Sequence, residues 1–149
     1  MKKAFTMIEL VFVIVILGIL AAVAIPRYFA MGRFAHRSNL VSFVSTLNRT
    51  VGEELWSLSL NENKGGSITD LASSEDAKFL SKYVQIPREL NSASINLKNC
   101  GKNAYSVIAE SNPQITGQKY KILCRDGNAT NSPSFELIDE NGKVITNGI

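Results

Sequence analysis

The chain has 149 residues, a mass of 16.3 kDa, 45% apolar and 19% charged residues, which suits one domain of moderate size and excludes a second independent core. Sixteen basic residues against thirteen acidic ones give a net charge of +3, so neither a polyanion-coating protein nor an acidic solvating tail is indicated. The average hides one feature: Phe5 to Ile25 holds fourteen Val, Ile, Leu and Phe residues and one charge, which excludes both a disordered and a wholly soluble chain.

The first element is that apolar run. Its 21 residues span about 31 Å as a helix, close to the hydrocarbon thickness of a bilayer. Its fourteen large apolar residues sum to roughly −4 to −8 kcal/mol for insertion. Lys2 and Lys3 precede it, and the positive-inside tendency keeps such a head cytoplasmic. Three readings compete: a plain anchor, a secretory signal cleaved after Ala22-Val23-Ala24, or a segment that uses the membrane only temporarily. Against the signal, the apolar stretch exceeds the usual length, Pro26 follows two places beyond the cut, and Glu9 interrupts the start. Glu9 separates the readings, because a carboxylate at apolar depth costs up to roughly 3 kcal/mol and the run contains no Lys, Arg or His to pair with it. A cut between Ala4 and Phe5 would place a new α-amino group four residues from Glu9, and a neighbouring copy could supply the same group. The alternative is a shallow Glu9 that reaches headgroup water.

Lys2-Lys3-Ala4-Phe5-Thr6-Met7-Ile8-Glu9-Leu10, followed by the run ending Ile25-Pro26, resembles the processing and methylation motif of type IV prepilins and type II secretion pseudopilins. The resemblance covers about the first thirty residues. It implies that a membrane prepilin peptidase cuts before Phe5 and methylates its amine, and that Glu9 pairs with a neighbouring subunit's amino terminus. It further implies a filament of copies or related pilins whose subunits leave the inner-membrane lipid to bury their apolar helices against one another, with a platform protein and an assembly ATPase as partners. The implied location is the bacterial inner membrane, amino terminus cytoplasmic and head periplasmic, and then a cell-surface or periplasmic filament. Two positions depart from the pattern. Ala4 stands where the family usually has Gly, which is expected to slow cleavage, and Met7 replaces a common Leu at nearly conserved volume. Gly18 would permit close helix approach and Pro26 would bend or loosen the helix, or both serve packing and the membrane end.

Beyond Pro26 the pattern becomes periodic. Leu40, Val44, Leu47, Val51, Leu55 and Leu58 form one apolar stripe, predicting a single long helix from Phe5 to about Leu60, roughly 84 Å if unbroken. A coiled coil fits only three heptads, weakly. Asn61 to Ser67 ends the helix, with Gly65 and Gly66 in the loop. A short helix is predicted from a Ser73/Asp76 capping pair, with Ala77, Phe79, Leu80 and Val84 as its apolar face and Pro87 as its stop. From Ala93 alternation dominates. Tyr120, Ile122 and Cys124 share the inner face of a strand, Tyr105, Val107 and Ala109 suggest a second, and Ile95 and Leu97 a third. Phe135 to Ile138 and Lys143 to Ile145 read as a hairpin turning at Asn141-Gly142. The expected fold is α+β: residues 1–4 as a leader, 5–26 as the spanning half of a long helix, 27–60 as its amphipathic half, and 61–149 as a head with a small antiparallel sheet. The pilin resemblance implies the same architecture.

Four features invite a functional reading. Cys100 and Cys124 are expected to pair if the head is exported, closing a loop worth about 3 kcal/mol. Two thiols and a lone His36 do not make a four-ligand zinc site, and pilins often carry a disulfide near the carboxyl end. Lys98, Lys102, Lys119, Lys121 and Arg125 cluster around the predicted strands, a candidate nucleic-acid patch weighed against lysines that serve solubility. Asn128-Ala129-Thr130 is a glycosylation sequon with Asp126 two places before it, and the same stretch opens like a calcium loop but has Leu137 where a bidentate Glu is needed. No nucleophile, phosphate loop or facing carboxylate pair occurs, so neither catalysis nor a cofactor is expected. The reading is a structural subunit of a pilus or pseudopilus. Its rivals are a secreted or tethered binding domain, and a minor competence pseudopilin that binds DNA.

Overall fold

The computed structural model describes residues 5–71 and 76–146. The chain divides into two units, residues 1–35 and 36–149. Helix α1 (Met7–Thr46) begins in the first and continues into the second; Pro26 lies inside it, removing the backbone donor that would meet the Ala22 carbonyl. In the first unit every Val, Ile, Leu and Phe from Phe5 to Ile25 is at least 40% exposed. A helix apolar on all sides has no solvent face.

In the second unit the same helix becomes one-sided. Leu40, Phe43, Val44, Leu47, Val51 and Leu55 are buried together with Ile68, Leu80, Leu97, Ile108, Tyr120, Ile122, Phe135 and Leu137. The helix does not keep one period to its end. Leu47–Val51 form a π-helical turn, after which α2 runs Gly52–Asn61. One extra residue in a turn rotates everything beyond it, so Leu58 is only half-buried and Ser59 takes the inner position, donating to the Ser67 carbonyl at 2.7 Å. The predicted stripe therefore holds as far as Leu55. A tertiary partner accounts for the turn: the Asn48 carboxamide donates to the Phe135 carbonyl and accepts from the Phe135 N–H, each at 2.8 Å. Gly52 lets the helix approach that strand, since a Cβ there would lie 3.2 Å from the Phe135 ring and 2.7 Å from the Leu47 carbonyl oxygen.

After α2 the chain turns through Asn63, Gly65 and Gly66, all at positive φ. Ser73 lies outside the described residues; α3 (Asp76–Leu80) follows and ends before Pro87 as expected. Three antiparallel strands make the sheet seen among the described residues, in the order β1 (Ser106–Glu110), β2 (Lys121–Arg125), β3 (Ser134–Ile138). A short helix, α4 (Pro113–Thr116), joins the first two; Asn112 caps it and Gly117 ends it at φ 76°. Ile122 faces Ala109 and Leu137, and Cys124 faces Phe135, so the inward side of β2 is the one the alternation predicts.

Two strand expectations need correction. A bulge between Val107 and Ala109 breaks the proposed Tyr105-Val107-Ala109 face: Ile108 and Ala109 both point inward and Val107 is 36% exposed. Ile95 and Leu97 are buried but form no strand. They flank and enter 3₁₀ turns at Ser92–Ser94 and Leu97–Asn99, because the Asn91 and Asn96 side chains accept the backbone N–H groups of Ala93 and Lys98 and draw the chain into turns. The closing hairpin turns at Gly142 (φ 79°), with Asp139 accepting from the N–H groups of Asn141 and Lys143, but its return is a single bridge from Ile138 to Val144. Both outer strands are occupied. Along β3, Asn48 takes Phe135, the Thr146 hydroxyl takes the Leu137 N–H, and the Ile145 N–H meets the Leu137 carbonyl. Along β1, the N–H groups of Asn91 and Asn96 meet the carbonyls of Glu110 and Ile108.

Three further ties hold the unit. Cys100 and Cys124 form a disulfide with a Cα separation of 4.9 Å, reinforced by the Gly101 N–H to Cys124 carbonyl bond. Asp126 is buried and accepts from the Ser67 and Thr69 hydroxyls and from the Ile68 and Gly127 N–H groups at 2.6 to 3.0 Å, joining the loop after α2 to the end of β2. Glu89 is also buried; its Oε1 lies 2.9 Å from both His36 Nδ1 and Asn39 Nδ2. Burial raises the Glu89 pKa, yet the bonds from His36 and Asn39 outweigh it and hold the carboxyl below the ordinary carboxylate value.

Cys100→Ser with Cys124→Ser is expected to cost about 3 kcal/mol by the loop-closure account, measured by denaturant unfolding of the detergent-solubilised chain with and without reductant. Glu89 has a lowered pKa in the fold, so its contribution is present above the unfolded carboxyl value of about 4.3 and is lost as pH falls through its own lower one. Glu89→Gln should weaken the fold at neutral pH and flatten that acid limb in melting temperature against pH; an unchanged acid limb would show that other carboxylates set it.

Candidate assembly segment and head surface

The helix that carries the expected assembly chemistry starts at a reciprocal cap. Glu9 Oε2 accepts from the Thr6 N–H at 2.9 Å and the Thr6 hydroxyl at 2.8 Å, while the Glu9 N–H reaches the same hydroxyl at 3.3 Å. Thr6-x-x-Glu9 before an apolar run is the sequence signature of this cap, and the sequence reading passed over it in favour of an amine partner. The cap and the helix dipole place a carboxylate at the first turn, with Oε1 making no hydrogen bond among the described residues. Phe5 precedes the cap and is fully outward; Ala4 lies outside the described residues. Further along, a Cβ added at Gly18 would meet nothing within 4 Å, so this position offers a smooth helix surface. The helix from Met7 onward is long and apolar enough to cross a membrane.

The expected basic cluster is spread out by the sheet. Lys121 and Arg125 stand at opposite ends of β2, about 13 Å apart at 3.3 Å per residue. Lys119 is paired with Glu110 at 2.9 Å, and Glu136 sits opposite Leu123 between the two ends. Arg125 lies over the Tyr105 ring at 5.4 Å, and the Tyr105 hydroxyl meets Ser134 at 3.0 Å. Lys98 and Lys102 are exposed in the loop that carries Cys100, and the bridge between Gly101 and Arg125 brings Lys102 to the Arg125 end. Residues 36–149 hold twelve Lys and Arg against twelve Asp and Glu, so the field around this unit has no overall sign.

Asn128 is exposed in an Asx turn, its Oδ1 accepting from the Thr130 N–H, the Thr130 hydroxyl and the Asn131 N–H, each at 2.9 Å. Its carbonyl accepts from the Trp56 indole at 2.7 Å, and Gly66 packs against the same carbonyl where a Cβ would not fit. The Asp126 carboxylate beside it is taken up by four protein donors. The buried roles of Asp126 and Glu89 are what sequence reasoning missed; apart from Gly127 beside Asp126, their side-chain partners stand 50 to 59 residues away in the chain.

Comparison with known proteins gives three findings. Residues 1–25 match the family model described as the prokaryotic N-terminal methylation motif. A fimbrial protein of Neisseria meningitidis serogroup A / serotype 4A is 33% identical over 128 residues, covering 84% of this chain and 67% of that one. A fimbrial protein of Neisseria meningitidis serogroup B is 30% identical over 131 residues, 87% and 70% of the two chains. No solved structure matches. The motif at the amino terminus, the identity that continues through the head, and the long helix leading into a three-stranded antiparallel sheet agree: the chain belongs to the type IV pilin-like family of fimbrial proteins.

Proposed function

We propose that this chain is made as a membrane-inserted precursor, cut between Ala4 and Phe5 by a prepilin peptidase, methylated on the Phe5 amine, and assembled into a pilus or a type II secretion-like pseudopilus. The observation that carries the proposal is the run from Phe5 to Ile25: fourteen large apolar residues, all exposed, with Glu9 as the single charge among them. Leaving those side chains in water instead of burying them would cost roughly 20 to 40 kcal/mol. A bilayer covers them before assembly and the helices of other copies cover them afterwards; the subunit exchanges one dry setting for another.

Glu9 supplies direction. Hydrocarbon offers a carboxylate no partner, while a neighbouring subunit's α-ammonium does, and the unengaged Oε1 is the atom available to it. An ion pair formed at apolar depth is strong because water does not compete. Gly18 permits close approach between helices, and Pro26 loosens the turn below it. The head then reaches the periplasmic side, where the Cys100–Cys124 disulfide is stable. A platform protein, an assembly ATPase and inner-membrane lipid complete the machinery, and the role is structural with no catalytic step of its own.

Intact mass and amino-terminal sequencing of protein recovered from cells are expected to find a chain that begins at Phe5 with one added methyl group. A start at Ile25 would make it a secreted protein, and a start at Met1 a simple anchor. Glu9→Ala is expected to insert into the membrane and be processed normally yet to give little or no sheared filament; a normal filament yield would remove Glu9 from the assembly step.

A further inference from the structure

We propose that the helix segment immediately beyond the apolar run, through Arg27 and Arg33, binds the phosphate groups of anionic lipids at the face of the bilayer on the head side. The proposal rests on the membrane-inserted reading above. If Phe5 to Ile25 fills the hydrocarbon layer, Arg27 enters the headgroup layer, roughly 5 to 8 Å deep on each side, and Arg33 stands about 9 Å further along the helix. Arg stems are long enough to carry the second guanidinium back to the same level.

The surroundings of these two residues fit phosphate. No Asp or Glu occurs between Glu9 and Glu53, and neither guanidinium makes an ion pair among the described residues. Both are exposed, as are Tyr28 (78%), Met31 (70%) and Phe34 (68%). Residues advance about 100° each around a helix, so Arg27, Met31 and Phe34 share one side, Tyr28 is turned from them, and Arg33 points elsewhere again. A single protein partner would require these groups on one face. Basic and aromatic groups set all round a helix, at the end of a run of spanning length, match a medium that surrounds it, and a planar guanidinium meets a phosphate through two parallel hydrogen bonds.

A consequence follows for exit from the membrane. The precursor is held by cations at both faces, Lys2 and Lys3 at one and Arg27 and Arg33 at the other. Removal of the leader lysines leaves side-chain cations on the exit side alone, so processing releases the subunit toward the compartment in which the filament grows.

The test uses the full-length precursor in nanodiscs of equal parts phosphatidylcholine and phosphatidylglycerol, with the lipids retained on the detergent-released chain counted by native mass spectrometry. The wild-type chain is expected to retain phosphatidylglycerol in preference, by up to roughly fivefold per Arg. Arg27→Gln with Arg33→Gln should lower the preference to the share due to Lys2 and Lys3, Arg27→Lys with Arg33→Lys should keep part of the Arg share, and Lys2→Gln with Lys3→Gln should leave the share due to the Arg pair. Circular dichroism checks that each variant keeps its helix. Carbonate-resistant chains whose lipid ratio does not respond to the Arg substitutions would overturn this proposal and leave the membrane reading standing. Wild-type chain that alkaline carbonate strips from vesicles would overturn the membrane reading itself.

Discussion

The molecule is organised around an apolar helix that must never meet water and a carboxylate that must never be left alone in oil. These two demands pull Glu9 in different directions. The run from Phe5 to Ile25 needs lipid or other helices on every side, while Glu9 needs donors that neither the hydrocarbon nor the apolar side chains supply. Thr6 partly reconciles them. Its N–H and hydroxyl engage one carboxylate oxygen within the chain's own first turn, which lets the charge sit at the end of the run without a cation. The other oxygen is the one that the proposed assembly would offer to a partner subunit's amine.

The remainder of the chain converts a uniformly apolar helix into a one-sided one and then closes over that side. Asn48 is central to the closure. A carboxamide has the donor and acceptor of a peptide group, and Asn48 uses both against Phe135, so that a helix side chain performs the task of a neighbouring strand. The geometry needs the helix to widen by one residue at Leu47–Val51 and to have no Cβ at Gly52. Glu89 and Asp126 act in the same spirit at other joints: a buried carboxylate is costly alone, and each is surrounded by donors brought from a separate part of the chain.

What was legible in the sequence follows the range of the forces involved. The apolar run, the stripe Leu40 to Leu55, the inward face of β2 and the Asn141-Gly142 turn are set by periodicity and local turn chemistry, and the structure has them where the pattern puts them. The π turn was hidden because its cause is 87 residues away at Phe135. Ile95 and Leu97 misled because two apolar residues one apart look alike in a strand and in a pair of turns, and the deciding atoms are the side-chain oxygens of Asn91 and Asn96. The Lys and Arg residues near β2 looked like one patch because chain proximity hides the length of an extended strand and the acids that intervene. The prepilin-type motif carried the functional reading largely unaided, since its information is contiguous.

Both sides of the sheet are already taken, by Asn48, Thr146 and Ile145 along β3 and by Asn91 and Asn96 along β1. Among the described residues these bonds already engage edge groups that strand addition by another copy would use, and strand addition is a route by which many proteins gel irreversibly. In the assembly proposed above, contact between copies would then fall to the exposed apolar helices rather than to the edges of the sheet.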